Sequence, residues 1–472
     1  MKEKNYDYGV IGLGTMGRNL VYNICDNGFK VAGFDKDESQ IDTLEKEKTN
    51  YEVLGALSIE EFVSSLVEPR VILLLVPAGK IVDVVIDELI PLISKNDIIM
   101  DCGNSHFTDT DRRINLLSKS NIHFMGVGVS GGESGARYGP SIMPGGAKEA
   151  YEHIATMLKA ISAKVNSEPC VAYIGDGSSG HYVKMVHNGI EYALMQLIAE
   201  TYHMLKEYAG LSNEELQELF SKWNSGRLQS YLLSITAQIF TQKDTFTSND
   251  LVDMILDTAH QKGTGMWVSQ NAMDLQLPIP AIDAAVSARD LSALKNERVS
   301  ASKVLKGPER GSMNDKITLV TNLEQAFYFA MIITYSQGFS LMDRASKEYK
   351  YNLRLDEIAK IWRGGCIIRA SVLENIRSAF ALNPSLSNLM LEPELAGELI
   401  SNQEGIREII KIAVDNGIPV PAFMATLSYY DGYRTEWLPS NLLQAQRDFF
   451  GAHTYQRIDR AGDFHTLWNQ IL

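Results

Sequence analysis

The apolar positions of this 472-residue chain change rhythm near residue 179. Before that point, short apolar runs alternate with segments of helical period, the pattern of strands and helices in turn. Strands are expected at 8–11, 30–34, 70–76, 97–101, 123–129 and 171–174. The run Arg70-Val71-Ile72-Leu73-Leu74-Leu75-Val76 lacks polar alternation, as in a parallel sheet covered on both faces. Each strand ends in a loop with small residues, and the C-terminal edge of such a sheet is where ligands bind. From 179 to about 434 a helical period dominates. Within it, Leu216, Leu219, Trp223 and Gly226 recur as Leu355, Ile358, Trp362 and Gly365, 139 residues on; a duplicated helical unit or chance likeness of two amphipathic helices would both give this.

The stretch that opens the helical part carries most of the chemistry. A helix is expected over 179–208. With Lys184 at zero and 100° per residue, Asn188 falls near about +40°, Glu191 near about −20°, His187 near about −60° and Tyr192 near about +80°. Five polar groups thus share one side, while Val183, Val186, Ile190, Ala193, Leu194 and Leu197 lie largely off it. Buried polar atoms need partners, so this stripe is either a solvated face or a site. On this segment alone both stay open.

Composition narrows the classes. A net charge of −14 argues against nucleic acid or an anionic membrane as partner. Cys25, Cys102, Cys170 and Cys366 are far apart and form no metal-ligand or disulfide spacing; no bound metal is expected. Met1-Lys2-Glu3-Lys4-Asn5 has no apolar signal core, and the expected location is the cytoplasm.

The first strand runs into Gly12-Leu13-Gly14-Thr15-Met16-Gly17 and then a helical segment. A GxGxxG between strand and helix is the dinucleotide-binding turn: the glycines allow a tight bend and close approach of a pyrophosphate to a helix N-terminus. The N-terminal third is therefore expected to be an α/β Rossmann domain over 1–178, followed by a large all-α domain over 179–437 and a C-terminal tail over 438–472. Asp35 ends the second strand, 18 residues past Gly17, where a carboxylate accepts from a ribose hydroxyl. Asp37 flanks Lys36, the one cation of that loop. A carboxylate repels a 2′-phosphate, so NAD is expected over NADP. Val76, Pro77 and Ala78, at the end of the third apolar run, complete the expected cofactor contacts.

Two later loops suit an anion. Gln261-Lys262-Gly263-Thr264-Gly265 offers flexible N–H groups, an ammonium and a hydroxyl. Ser287-Ala288-Arg289-Asp290 offers a guanidinium. Each alone reads more readily as surface charge than as a site. Beyond 438 the chain keeps Phe449, Phe450, Tyr455, Phe464 and Trp468, too aromatic for a disordered tail; a second subunit is a natural surface for it.

Taken together, these segments resemble the 6-phosphogluconate dehydrogenase family over essentially the whole chain. The resemblance is carried by Gly12–Gly17, Gly103-Asn104-Ser105-His106, Val129-Ser130-Gly131-Gly132-Glu133, the stretch from Lys184 to Tyr192, Gln261–Gly265, and Gln446-Arg447-Asp448 with Phe450-Gly451-Ala452-His453. It implies oxidative decarboxylation of 6-phosphogluconate to ribulose 5-phosphate by a homodimer. It implies Lys184 as general base and Glu191 as general acid. Substrate contacts would fall to Asn104, Ser130, Gly131, Gly132, His187, Asn188, Tyr192, Lys262, Thr264 and Arg289, with Arg447 and His453 supplied by the other subunit; Asn104 would also meet the cofactor. The phosphate would meet Tyr192, Lys262, Arg289 and Arg447. Two departures bear on the cofactor. NADP-using members usually carry Asn-Arg-Ser/Thr where this chain has Asp35-Lys36-Asp37, and many carry Lys at Pro77. A β-hydroxyacid dehydrogenase for a smaller acid would need neither Glu191 nor the tail. A non-catalytic dinucleotide-binding protein would be expected to lose Lys184 or Glu191.

Overall fold

The computed structural model describes residues 5–47, 51–309, 311 and 315–468; residues 1–4, read above for want of an apolar run, lie outside them. The chain divides into two compact units, Met1–Ala425 and Thr426–Leu472.

Seven strands build the sheet of the first unit: β1 (Tyr8–Ile11), β2 (Val31–Phe34), β3 (Val53–Gly55), β4 (Val71–Leu74), β5 (Ile98–Asp101), β6 (His123–Ser130) and β7 (Ser141–Gly145). Their order is β3-β2-β1-β4-β5-β6-β7. Pairing is parallel as far as β6, and β7 runs antiparallel to β6. This is the doubly wound order, with an antiparallel edge strand added. Helices cover both faces: α1 (Thr15–Asp26), α2 (Glu38–Glu47), α3 (Ile59–Ser65), α4 (Lys80–Leu89), α5 (Phe107–Leu117), α6 (Gly132–Tyr138) and α7 (Lys148–Ile161). Strand β4 shows why its sequence has no alternation. Val71 and Leu73 belong to a core with Leu20, Ile24 and Leu158, whereas Ile72 and Leu74 belong to one with Phe62, Val82 and Leu89.

The sequence reading needs correction at the sheet's edges. Residues 171–174 do not form a further strand of the sheet. They run beside β7, where Ile174 N–H donates to Pro144 O at 2.9 Å, but pair with it only through the isolated bridges Ile142–Val171 and Gly145–Gly175 and form no ladder. Neither β3 nor β7 was expected. The first is three residues long, and the second contains Pro144 and Gly145, which mask a strand signal yet are tolerated at an edge.

The helical part opens with α8 (Ser179–His203), continued by a π-helical turn at Met204–Tyr208, in agreement with the span read from the sequence. Ser212 caps the next helix, Asn213–Asn224, in a reciprocal capping box with Glu215. The repeat at 139 residues takes physical form. Asn213–Asn224 packs on Tyr231–Ile239 as Leu355–Ile361 packs on Val372–Leu382. The two connecting loops pair with each other, Tyr231 N–H donating to Arg369 O at 3.0 Å and Ser371 N–H to Gln229 O at 2.9 Å. The helix Lys316–Tyr349 is long and apolar enough to cross a membrane by length and composition, yet 61% of its apolar window is buried in the protein. It packs on α8 and on Pro393–Asp415, which makes it a core helix.

In the second unit the tail has regular structure. It forms a helix, Ser440–Gly451, and a small hairpin, Tyr455–Gln456 with Asp463–Phe464. Asp448 closes it by accepting from Thr454 N–H, His465 Nδ1, Thr466 N–H and Trp468 Nε1 at 2.8 to 3.0 Å.

Helix α8 lies directly on β6 and β7. At Gly180 there is no room for a side chain: a Cβ would sit 2.2 Å from Gly126 O, 2.3 Å from Met143 O and 2.7 Å from Gly145 N. These are backbone atoms and cannot rotate away. Replacing Gly180 with Ala is expected to destabilise the protein by about 3 kcal/mol or more, seen as a lower thermal unfolding midpoint than wild type.

Candidate active site

The cofactor cleft is set by sterics first. Gly12 has φ +96°, and a Cβ there would lie 2.6 Å from Leu75 O; a Cβ on Gly17 would lie 1.8 Å from Gly12 O. The turn can therefore be this tight only with glycine. A Cβ on Gly14 would meet nothing within 4 Å, so this point of the turn faces open space. Gly14 and Thr15 are exposed at the N-terminus of α1, with no side chain capping it. The cleft that opens here measures about 550 Å³ and is lined by Gly12, Gly14, Asp35, Lys36, Asp37, Val76 and Pro77 among others. Ala78 follows, exposed. Asp35 is held in place by Leu13 N–H at 2.7 Å and Asp37 N–H at 3.0 Å. The turn, the helix N-terminus and the acid at the second strand suit a dinucleotide. A second cavity of about 550 Å³, lined by Tyr231, Arg363, Arg369 and Glu374 among others, contains none of the residues the sequence singled out.

The polar stripe of α8 is inside the protein. Lys184 and His187 are buried, and Glu191 and Asn188 are partly covered. Lys184 crosses β6 where Gly128 leaves space, since a Cβ there would lie 2.5 Å from Lys184 Cβ. Asn104, Lys184, Asn188 and Thr264 line one small pocket with Ser105, His181, Met185 and Trp267. His187 joins it to β6: Nε2 lies 3.3 Å from Ser130 Oγ and Nδ1 3.2 Å from Asn188 Oδ1, with Glu191 Oε2 3.8 Å away. Gly131 and Gly132 follow Ser130 at the start of α6. The Arg289 guanidinium stacks 3.4 Å from the centre of the Tyr192 ring, and a Cβ on Gly265 would be 2.6 Å from that ring. Lys262 is exposed in the loop before. Arg447, exposed, donates from Nη1 to Gln444 Oε1 of its own helix at 3.1 Å; His453, also exposed, follows that helix in the second unit.

Burial decides the electrostatics. Loss of water lowers the Lys184 pKa from the usual 10.5, against the opposite pull of Glu191 and Cys366. Loss of water also raises Glu191 from 4.5, although Lys184 and Arg289 oppose it. His187 is pushed well below 6.5, by burial first and by Lys184 second. Burial therefore shifts the amine and the carboxyl each toward its neutral form and keeps the imidazole uncharged, the kind of perturbation that clusters at acid–base sites.

A buried network supports the pocket, and the sequence did not reveal it. Arg113 is fully buried. It donates to Asp83 Oδ1 at 2.8 Å, Gly79 O at 2.9 Å, Ser105 Oγ at 3.2 Å and Asp101 Oδ2 at 3.4 Å. Asp101 accepts from Ser105 Oγ at 2.6 Å and Gly103 N–H at 3.0 Å, which fixes the loop carrying Asn104. His181 of α8 donates from Nε2 to Asp101 O at 2.9 Å and turns Nδ1 to the Thr110 hydroxyl at 2.6 Å.

A Rossmann cleft beside a buried Lys–His–Glu stripe defines an NAD(P)-dependent oxidoreductase. Residues 7–175 match the NAD binding domain of 6-phosphogluconate dehydrogenase, and residues 180–468 match the C-terminal domain of that enzyme. The chain belongs to the 6-phosphogluconate dehydrogenase family. It is 52% identical over 461 residues to the Bacillus subtilis "6-phosphogluconate dehydrogenase, NADP(+)-dependent, decarboxylating", covering 98% of each chain. It is 48% identical over 464 residues to the decarboxylating enzyme of Lactococcus lactis, again covering 98% of each. Among solved structures, Plasmodium falciparum 6-phosphogluconate dehydrogenase, described in its apo form and in complex with NADP+ and with 6-phosphogluconate, superposes with a TM-score of 0.95 at 44% identity, covering 98% of this chain and 100% of that one.

The depressed His187 pKa has a measurable sign. Below its ordinary value of 6.5 the unfolded chain takes up a proton that the folded site refuses. His187 thus costs no stability above that pH and costs about 1.4 kcal/mol per pH unit well below it. Glu191 and Glu200 titrate in the opposite sense, Glu200 being raised by burial to about 7, so the comparison must be between variants. His187→Asn is expected to lose less thermal stability than wild type between pH 7 and pH 5, read from unfolding midpoints.

Proposed function

We propose that this chain oxidises 6-phospho-D-gluconate and releases D-ribulose 5-phosphate and CO2, in the cytoplasm, as a homodimer whose subunits share each site. The observation that carries the reading is the buried stripe in which Lys184 is driven toward its neutral form and Glu191 toward its protonated form. The bound dinucleotide supplies the acceptor for the hydride of C3. Neutral Lys184 takes the proton of the C3 hydroxyl. As an ammonium it then donates to the C3 carbonyl oxygen, drawing in the electrons that the departing CO2 leaves behind, the task a metal ion performs elsewhere. Glu191, two turns along the same face, gives a proton to C1 of the enediol. Asn104, Ser130, Gly131, Gly132, His187, Asn188 and Thr264 hold the sugar acid. Tyr192, Lys262 and Arg289 take the phosphate together with Arg447 of the partner subunit, and His453 of the partner subunit also contacts the substrate.

For the dinucleotide, the relatives and the cleft point in different directions. The Bacillus relative is named as NADP(+)-dependent and the Plasmodium enzyme is described with NADP+. Here, Asp35 and Asp37 line the cleft and Lys36 is drawn to Glu88 at 2.6 Å. That charge pattern supports NAD as the preferred cofactor.

The test is steady-state oxidation of 6-phosphogluconate with each dinucleotide. Turnover with CO2 release is expected, with kcat/KM higher for NAD; absence of turnover with either overturns the reaction, and a higher value for NADP overturns only the preference. Lys184→Arg is expected to lower kcat by about 10³-fold or more, because a guanidinium does not give up its proton; wild-type activity is expected to rise with pH through a Lys184 pKa below 10.5. A chain ending at Pro439 lacks Arg447 and His453 and is expected to be inactive as isolated protein; an active truncated monomer would refute the shared site.

A further inference from the structure

One wall of the cofactor cleft is the solvent side of α4. Ile81, Val84, Val85 and Glu88 all line it, at the three- and four-residue spacing of a single helical face. Ile81 and Val84 are 47% and 48% exposed, an open aliphatic surface of the kind a flat ring covers. One turn further, Glu88 Oε1 meets Lys36 Nζ at 2.6 Å. This pair spans the cleft between α4 and the loop after β2. Lys36 is the only cation among the described residues that line the cleft, set against Asp35, Asp37 and Glu88. The neighbouring Arg18 is already committed, donating to Leu13 O at 2.7 Å and Gln40 Oε1 at 2.5 Å, with Glu47 Oε2 at 3.7 Å. Asp37 is likewise occupied, accepting from Ser39 N–H at 3.0 Å and Ser39 Oγ at 2.7 Å.

We propose that Glu88 is a specificity-determining residue: it engages Lys36, the one ammonium that could meet a 2′-phosphate, and sets a third carboxylate at that end of the cleft. The inference rests on the reading that this cleft takes the dinucleotide, and it does not require that wild type prefer NAD. A free 2′-hydroxyl is neutral and is indifferent to Glu88. A 2′-phosphate carries close to two negative charges, so it must compete with Glu88 for Lys36 and is repelled by the carboxylate at the same time. Asp35 sits deeper, fixed by two backbone N–H groups, so it reads the ribose whichever way Lys36 points.

The Lys36 and Glu88 side chains are 59% and 38% exposed. Such a pair adds little to stability, so variants at either position should fold. The test is isothermal titration of the full-length protein with NAD and with NADP, for wild type, Glu88→Gln, and Glu88→Gln combined with Lys36→Met. Glu88→Gln is expected to tighten NADP by about five- to tenfold and to leave NAD within about twofold. Adding Lys36→Met should erase that gain, since the two residues act on the phosphate as one unit. An NADP Kd unchanged by Glu88→Gln overturns the proposal, as does a gain that persists without Lys36. Tighter NADP than NAD binding by wild type would refute the preference argued above while leaving Glu88 to be judged on the change in ratio. Failure of either dinucleotide to bind any of the three proteins would overturn both.

Discussion

Backbone touches backbone where α8 crosses the β6–β7 edge, and the rest of the site follows from that contact. Gly180 approaches Gly126 O and Met143 O too closely for any side chain. One turn later, Gly128 admits the stem of Lys184. The helix is thereby pressed onto the C-terminal half of the sheet, where β5 and β6 deliver Asn104 and Ser130. A larger residue at either crossing point would lift α8 away and separate Lys184 from the loops that face it. Close packing of this kind tolerates little adjustment.

The same contact supplies the chemistry. Because α8 enters the core rather than lying on a surface, its polar stripe loses water. Desolvation acts with opposite sign on an amine and on a carboxyl. It drives Lys184 and Glu191 toward the forms a base and an acid need, while their mutual attraction pulls the other way and loses. His187, close to both, is held neutral, so it can hydrogen-bond without adding a third charge. Packing and proton chemistry here have one cause.

Much of this was legible in the sequence because some duties leave few residue choices. The Gly12–Gly17 turn announces itself, since no other residue fits at Gly12 or Gly17. The 3.6-residue period put Lys184, His187, Asn188 and Glu191 on one face, as found. The repeat of Trp223 and Trp362 marked a pair of helix–loop–helix units whose loops pair. Other features left no signal. Glu88 resembles any acid on an amphipathic helix, and only the fold across the cleft gives it Lys36. Arg113 reads as a surface residue in Thr-Asp-Arg-Arg-Ile, yet it is fully buried because Gly79 and Asp83 at the start of α4 and Asp101 and Ser105 around the end of β5 arrive from two separate segments. Strand β7 was hidden by its own Pro144. The tail's compact form depends on Asp448, whose partners lie 6 to 20 residues downstream in irregular backbone. Periodicity carries local order well; it says little about contacts that a distant segment completes.

The Arg113 network has a consequence for molecular discrimination. Its guanidinium donates four hydrogen bonds to protein groups, and Asp101 and Ser105 already hold the loop around Asn104. A ligand arriving there meets preorganised structure and does not have to order it, a step that costs ~1–2 kcal/mol for each residue fixed. Rigidity has a second face. On the proposal that Asn104 meets the sugar acid, a loop that is already placed yields little to a hydroxyl of the wrong configuration, so stereoisomers would be sorted by refusal rather than by accommodation.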